Sequence, residues 1–220
     1  TDLEAVIPHN VHLILVPKVE EAKQLKDVDD KIQEICKKCG RKDSIYLMPI
    51  LENASGILNS LEIAQASENN VAIAIGLEDY TADIGVQRTN MGKESLFARC
   101  QVINAARSAG IQAIDTVFSD VNDIDGLRAS LRESRELGFD GKGCIHPRQI
   151  RPTHDEFAPT VLEIEKAKEI VLAFDKAKTD GLGVVSLGNK MIDPPVVKRA
   201  QHTINLAVIM DLIPIKWKQK

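Results

Sequence analysis

The chain has 220 residues, of which 44% are hydrophobic and 27% are charged, and its formal net charge is −4. These values are typical of a globular protein long enough to bury a sizeable core. The small acidic excess argues against an electrostatic nucleic-acid binder, and no apolar run reaches the length of a membrane-spanning helix, so we expect neither nucleic acid nor a membrane as a partner.

In chain order, short apolar runs alternate with longer charged or amphipathic stretches. Short continuous apolar runs are typical of the buried strands of a parallel sheet. They predict five strands, at residues 11–16, 45–51, 71–76, 113–118 and 143–146. The stretches between them predict four helices, at residues 19–39, 55–65, 93–108 and 123–137.

The last part of the chain has a different pattern. Helices are predicted at residues 159–178 and 196–209, and a turn-rich segment at residues 181–193 lies between them. We therefore expect two parts: residues 1–158 with the strand–helix repeats, and residues 159–220 as a helical extension.

Strands that alternate with helices predict an α/β fold with a parallel sheet. Two architectures fit, an open doubly wound sheet and a β/α barrel, which has eight strands when complete. The first strand lacks the glycine-rich loop of a dinucleotide-binding sheet. Polar residues follow the strands, where a barrel places its active site, and this favours the barrel. These residues are Lys18, Glu52, Asn53, Glu78, Asp79, Asp115, Asp120 and His146.

Two of these strand-end residues, Glu52 and Asp79, are carboxylates on consecutive predicted strands. Neighbouring parallel strands lie about 4.8 Å apart, so their ends can bring two carboxylates to one cation. Oxygen ligands of this kind suit Mg²⁺ or Mn²⁺. The competing interpretation is helix N-capping, because acidic residues are common where a helix begins.

Lys18 and His146 have two interpretations each. A desolvated lysine at a strand end can form a Schiff base with a carbonyl substrate, whereas a solvated one binds anions or faces water. His146 is either a general base or a histidine held by the backbone, and without a visible partner the second interpretation is favoured. Arg148 and Gln149, which follow, are expected to be exposed turn residues.

Four cysteines are spread over the chain, and only Cys36 and Cys39 are close in sequence. A single C-x-x-C pair without a second pair at ligand spacing is more typical of a helix end than of a zinc site. So few cysteines fit a reducing compartment, and we expect a cytoplasmic protein.

Taken together and in order, the strand-end segments resemble the citrate lyase β-subunit branch of the HpcH/HpaI metal-dependent aldolase superfamily. The resemblance covers nearly the whole chain and is specific for the superfamily rather than for a substrate. The segments at the strand ends are residues 16–20 (Val-Pro-Lys-Val-Glu), 51–56 (Leu-Glu-Asn-Ala-Ser-Gly), 76–85, 113–120 and 138–150. Residues 183–187 and 191–197 resemble the C-terminal lid of that family.

This resemblance implies a (β/α)8 TIM barrel of which the chain supplies roughly strands four to eight, followed by a C-terminal helical lid. It implies that Glu52 and Asp79 bind Mg²⁺, that Glu52 and Lys18 lie at the substrate, and that Asp193 is an acid or base acting in a neighbouring subunit. A homo-oligomer, expected to be a trimer, or a larger lyase complex follows from that. The substrate-binding arginine of the family's third strand has no counterpart here, so either the chain is a fragment or another segment supplies it.

The implied activity is Mg²⁺-dependent cleavage of a citryl thioester, carried by coenzyme A or an acyl-carrier protein, to oxaloacetate and an acetyl thioester. Asn53 and Ser55 stand where threonine and arginine are usual, which leaves the substrate open. A malyl- or methylmalyl-thioester lyase is the alternative among enzymes. A non-catalytic barrel subunit is the alternative of another class.

Overall fold

The computed structural model describes residues 2–179, 185–187 and 190–218. The chain divides into two compact units, Thr1–Thr153 and His154–Lys220. The division after residue 158 that the sequence suggested stays a prediction.

Five parallel strands form one sheet in the first unit, and their order in the sheet is their order in the chain. They are β1 (Leu13–Val16), β2 (Tyr46–Leu51), β3 (Ala72–Ile75), β4 (Gln112–Asp115) and β5 (Gly141–Lys142). Every residue of the central strand β3 is buried, as expected for a parallel strand covered on both faces. Within the described residues, β1 and β5 are the edges of the sheet. The predicted α/β fold with a parallel sheet is confirmed.

Helices connect consecutive strands of this unit, as parallel pairing requires. Helix α2 ends at Gly40, whose φ of 73° is left-handed and suits glycine. The helices are α1 (Asp2–Val6), α2 (Ala22–Cys39), α3 (Ala54–Leu58), α4 (Ser60–Ala64), α5 (Leu77–Asp83), α6 (Leu96–Ala109), α7 (Ile124–Leu137) and α8 (Ile150–Phe157), with a 3₁₀ turn at Pro147–Gln149 before α8.

The end of the first unit differs from the prediction. The fifth strand occupies Gly141–Lys142, whereas residues 143–146 were expected. Ile145 is 55% exposed, and its amide donates to the side chain of Gln149 rather than to a neighbouring strand. Gln149 was expected to be exposed, but it is buried and also donates to the carbonyl of Phe118. A local side-chain hydrogen bond has therefore replaced strand pairing here.

Besides the end of α8, the described residues of the second unit form two helices and two antiparallel strands. Helix α9 (Val161–Thr179) and helix α10 (Pro194–Ile209) pack together, and β6 (Val185–Leu187) pairs antiparallel with β7 (Lys190–Ile192). Residues 181–184 and 188–189 of the expected turn-rich segment lie outside the described residues. The core of this unit consists of Ile164, Ala167, Ile170, Val171, Ile192, Ala200, Ile204 and Ala207. Over the whole described part of the chain, no helix has both the length and the apolar character to cross a membrane.

Candidate metal and active site

Lys18 lies directly beyond β1 and contacts both predicted metal carboxylates. Its amide donates to Oε2 of Glu52 at 2.9 Å, and its Nζ lies 3.6 Å from Oδ2 of Asp79. The backbone of Lys18 has φ 54°, a left-handed conformation that residues with a β-carbon rarely adopt. The structure therefore brings three of the predicted strand-end residues into one cluster, which we call the Lys18 cluster.

The side chain of Glu52 lies against the backbone of Gly76. A β-carbon at residue 76 would come within 2.8 Å of both Cγ and Oε1 of Glu52. The φ of Gly76 is −108°, which any residue can adopt, so close approach rather than backbone conformation requires glycine here. Gly76 ends the strand before Asp79, and its lack of a side chain leaves room for Glu52 between the two strand ends.

Neither carboxylate caps a helix through a side-chain hydrogen bond, although Asp79 lies in the first turn of α5, where acidic residues are common. Asn53, not Glu52, caps helix α3, because its Oδ1 accepts the amide of Gly56 at 2.8 Å. Asp79 is in the first turn of α5, and no side chain caps that helix. Among the described residues, the hydrogen-bond and ion-pair partners of the Glu52 and Asp79 carboxylates are limited to the amide and the ammonium of Lys18.

Carboxylate oxygens with so few protein partners fit a hard divalent cation. Mg²⁺ is usually bound by one or two carboxylates and completes its shell with water and substrate oxygens. The described ranges contain no group of three or more His, Cys, Asp or Glu residues placed to hold a metal. The assignment of Glu52 and Asp79 as ligands stays a prediction, and the donor set is compatible with it.

The side chain of Lys18 is 71% exposed. Schiff-base chemistry needs a desolvated amine, so this exposure argues against that interpretation. The neighbouring Asn53 donates to the carboxylate of Glu20 as well as capping α3. Both the oxygen and the nitrogen of its side-chain amide thus have partners other than Glu52 and Asp79.

Glu78 and Asp79 are adjacent in sequence but have different partners. Glu78 accepts hydrogen bonds from Nη1 of Arg88 at 2.6 Å and from Oγ of Ser119 at 3.0 Å. It lines a cavity of about 670 Å³ together with Asp120, whereas Glu52 and Asp79 are not among the described residues that line this cavity. We therefore place Glu78 outside the Lys18 cluster.

Asp115, another strand-end carboxylate, is fully buried among cations, in what we call the Asp115 cluster. Its carboxylate accepts from Nη2 of Arg99 at 2.8 Å, from Nζ of Lys142 at 3.0 Å, and from the hydroxyl of Ser134. Burial alone raises the pKa of this carboxyl, but the charges of Lys142 and Arg99 and the hydrogen bond from Ser134 outweigh it and hold the pKa below its usual value. Asp115 thus joins β4 to α6, α7 and β5, and its carboxylate already accepts hydrogen bonds from three donors.

For Lys142, the lysine of this cluster, burial has the largest effect on the pKa. It lowers the pKa of Lys142, and the attraction of Asp115 offsets that shift only in part. Arg99 carries a second link, from Nη1 to Glu133 at 3.2 Å, and its guanidinium lies 5.6 Å from the ring centre of Phe139.

The remaining predicted residues have local roles in the structure. His146 is half-buried, and its Nδ1 accepts the amide of Arg148, which agrees with a histidine held by the backbone. Asp193 lies in the second unit, where its Oδ1 accepts the amide of Val196 and caps α10. Its predicted catalytic role stays a prediction.

Three features escaped the sequence analysis: the close approach at Gly76, the partners of Asp115, and the backbone of Lys18. The sequence does contain a signal for the close approach at Gly76, because a glycine at the end of a strand often marks a place where another group approaches the backbone closely. The partners of Asp115 come from distant parts of the sequence, and nothing local to Asp115 indicates them.

Comparison with known proteins connects this geometry to a family. The HpcH/HpaI aldolase/citrate lyase family matches residues 1–147. The β subunit of citrate lyase from Escherichia coli K12 is 44% identical over 207 residues, which cover 94% of this chain and 68% of that protein. The chain belongs to the HpcH/HpaI aldolase/citrate lyase family. The predicted family and the lyase class that its relatives share are confirmed.

Two further members show the range of the family. Mouse mitochondrial citramalyl-CoA lyase is 33% identical over 216 residues, covering 94% of this chain and 64% of that protein. The CitE protein of Mycobacterium tuberculosis, solved in complex with magnesium, acetoacetate and coenzyme A, superposes with a TM-score of 0.75 at 26% identity, covering 94% of this chain and 72% of that one. The barrel-type fold is confirmed by this likeness, and the prediction of magnesium is confirmed at the level of the family.

Proposed function

We propose that the protein is an Mg²⁺-dependent carbon–carbon lyase that cleaves a citryl thioester to oxaloacetate and an acetyl thioester. The observation that carries the proposal is the convergence of Glu52 and Asp79 on Lys18 at the ends of neighbouring strands, in a member of this family. The 44% identity to a citrate lyase β subunit supports the citryl substrate.

Each residue of the Lys18 cluster has a stated part in this proposal. Glu52 and Asp79 would hold Mg²⁺, which when bound polarises the oxygens of the oxo-acid as the carbon–carbon bond breaks. The amide of Lys18 fixes one oxygen of Glu52, and Gly76 leaves the space in which that side chain lies. The bound ion would complete its shell with water and substrate oxygens.

The reaction needs proton transfer both before and after the carbon–carbon bond breaks. A base removes the proton of the substrate hydroxyl, the carbon–carbon bond breaks, and the electron pair becomes the enolate of the acetyl thioester, which is then protonated. We propose Asp193, reaching the site from a neighbouring subunit, as the group that moves this proton. Asp193 stands at the start of α10, where its Oδ1 accepts the amide of Val196.

We propose that the protein forms a homo-oligomer, specifically a trimer. We also propose that it is located in the cytoplasm. Participation of Asp193 in a neighbouring site requires more than one copy. The four cysteines are free in the structure, which agrees with a reducing compartment.

A second substrate class is favoured by a specific observation. The mouse relative is a citramalyl-CoA lyase, so a related hydroxyacyl thioester such as a citramalyl, malyl or methylmalyl thioester is the alternative substrate. Asn53 caps α3 beside Glu52 and differs from the usual family residue, so the surroundings of the metal ligands are where such specificity would be set. A barrel subunit that binds metal without turnover is the third possibility.

The test compares substrates and a matched pair of variants in the full-length protein. Citryl, citramalyl and malyl thioesters, on coenzyme A and on an acyl-carrier protein, are assayed with Mg²⁺ and with a chelator. We expect fastest cleavage of a citryl thioester, dependence on Mg²⁺, and its loss in Glu52→Gln but not in Glu62→Gln, a change at an exposed glutamate of α4. Unchanged activity in Glu52→Gln would contradict the proposal, and faster cleavage of another thioester would replace the substrate.

A further inference from the structure

Lys18 differs from an ordinary surface lysine because two of its groups reach two functional carboxylates. Its amide holds Glu52 at 2.9 Å, and its ammonium faces Asp79 at 3.6 Å. The left-handed backbone of Lys18 accompanies this double contact. The ammonium is not fixed by the core, since the side chains of Lys18 and Asp79 are 71% and 53% exposed.

The charges of the Lys18 cluster make the role of this ammonium specific. Two carboxylates and one ammonium sum to a charge of −1, which a divalent cation converts to +1. An anionic oxo-acid is then attracted to the loaded cluster and repelled by the empty one. Without the ammonium, the same cluster would be −2 when empty and neutral when loaded. It would attract the metal more strongly and the anion less.

We propose that Lys18 couples metal binding to substrate binding: its ammonium weakens the affinity of Glu52 and Asp79 for a divalent cation alone and strengthens the affinity of the loaded site for an anionic 2-oxo-acid. Lys18 is in this sense a positioning and specificity residue, acting through the charge of the site. The inference rests on the proposed function, because it takes Glu52 and Asp79 as the metal ligands.

Metal affinity tests this coupling directly and separately from activity. Mn²⁺ alone is titrated into the full-length protein and followed by electron paramagnetic resonance, with Mg²⁺ then added as competitor. The variants are Lys18→Met, which removes the ammonium, and Lys18→Arg, which keeps the charge. Lys23→Met is the matched control, because Lys23 is 72% exposed and pairs with an exposed carboxylate, Asp27, rather than with Glu52 or Asp79.

We expect Mn²⁺ to bind about three- to tenfold more tightly to Lys18→Met, an effect of one partly screened charge near a divalent ion. Lys18→Arg and Lys23→Met should match the unaltered protein. Pyruvate, titrated as a stable 2-oxo-acid into the metal-loaded proteins, should bind more weakly to Lys18→Met. The gain for the metal and the loss for pyruvate should both shrink at high salt, which a merely structural role of the lysine would not produce.

Unchanged or weaker Mn²⁺ binding in Lys18→Met would overturn the coupling, as would unchanged pyruvate binding. If Lys18→Met does not fold, Lys18→Asn decides, since asparagine adopts left-handed backbone more readily and also lacks the charge. Glu52→Gln and Asp79→Asn separate the two proposals. If they retain Mn²⁺ binding, the metal site is wrong. If they lose it while Lys18→Met and Lys18→Asn stay unchanged, the coupling alone is wrong.

Discussion

Two clusters of charged side chains follow neighbouring strands of the sheet, and they are built in opposite ways. In the Asp115 cluster, one buried carboxylate is surrounded by Arg99, Lys142 and Ser134, which arrive from three other elements. In the Lys18 cluster, two carboxylates share a single exposed lysine. Both follow the ends of apolar strands, so in sequence they look alike.

The difference between them is in how many acceptor positions remain. A buried charge is stable only when partners satisfy it, and Asp115 has such partners on several sides. Glu52 and Asp79, in the described part of the chain, keep oxygens that no side chain occupies. The first arrangement holds secondary-structure elements together, whereas the second can accept a ligand. Changes in the first should therefore affect stability, and changes in the second should affect binding.

The largest expected effect is on stability, in Asp115→Asn. This change leaves the buried cations Arg99 and Lys142 without their countercharge, and breaking a buried pair in this way costs about 3–5 kcal/mol. Urea unfolding of the full-length protein measures it. Asp79→Asn is the control and should change the free energy of unfolding by less than about 0.5 kcal/mol, because the ion pair that it forms with Lys18 is exposed. Equal losses in both variants would remove the distinction between the clusters.

The dependence of stability on pH should show the same asymmetry. Because the pKa of Asp115 is lower in the folded state than its usual value of 3.8, its ionised form stabilises the fold above that value. This stabilisation is lost as pH falls through the lowered, folded-state pKa. The difference in unfolding free energy between the unaltered protein and Asp115→Asn should thus shrink as the pH falls below about 4. A difference that stays constant with pH would mean that the charge of Asp115 is not its source.

Gly76→Ala should separate binding from folding in the Lys18 cluster. The added β-carbon would meet Glu52 at 2.8 Å, and the flexible end of that side chain can move away. We expect metal affinity to fall by about tenfold, as for other changes that displace a ligand, while stability changes little. Gly141→Ala is the control, since its β-carbon meets only Ile114, at 3.4 Å. Unaltered metal affinity in Gly76→Ala would argue against the observed placement of Glu52.

The smallest effect is expected for Lys142→Met. Asp115 keeps Arg99 and Ser134 in this variant, and the desolvated ammonium, whose pKa burial lowers, is removed. Because Asp115 stays paired with Arg99, no buried charge is left uncompensated, and the free energy of unfolding should change by less than about 1 kcal/mol. Thermal unfolding of Lys142→Met and Asp115→Asn, measured side by side, checks that Lys142→Met is destabilised less. A loss as large as that of Asp115→Asn would mean that Lys142 is the main partner of Asp115.

The local sequence pattern was sufficient to predict most strands of the sheet but not the polar contacts that their residues make. The apolar runs predict β1 to β4 to within a few residues, because a buried parallel strand must be apolar along its length. The strand predicted at residues 143–146 was wrong, because the apolar side chain of Ile145 is exposed and its amide donates to the side chain of Gln149. Helices α1, α5 and α8 were not predicted. Each has eight residues or fewer, too short for a clear helical period.

The Lys18 cluster was predictable in part, and the Asp115 cluster was not. Consecutive parallel strands place Glu52 and Asp79 at adjacent strand ends, so their proximity follows from topology. The left-handed backbone of Lys18 does not follow from its sequence, and it accompanies the contact of that amide with Glu52. From its sequence, Asp115 looked like the other strand-end residues. Its partners Arg99 and Lys142 are distant in sequence and meet it only in the folded structure.

The adjacent carboxylates Glu78 and Asp79 allow the most direct test of the central claim, that Glu52 and Asp79 are the metal ligands. Mn²⁺ affinity is measured for the full-length protein and for Glu52→Gln, Asp79→Asn and Glu78→Gln. We expect the first two changes to weaken binding by at least about a hundredfold, because each removes a ligand, and Glu78→Gln to stay within about threefold, because Glu78 is bonded to Arg88 and Ser119 instead. Retained affinity in Glu52→Gln or Asp79→Asn, or an equal loss in Glu78→Gln, would contradict the account.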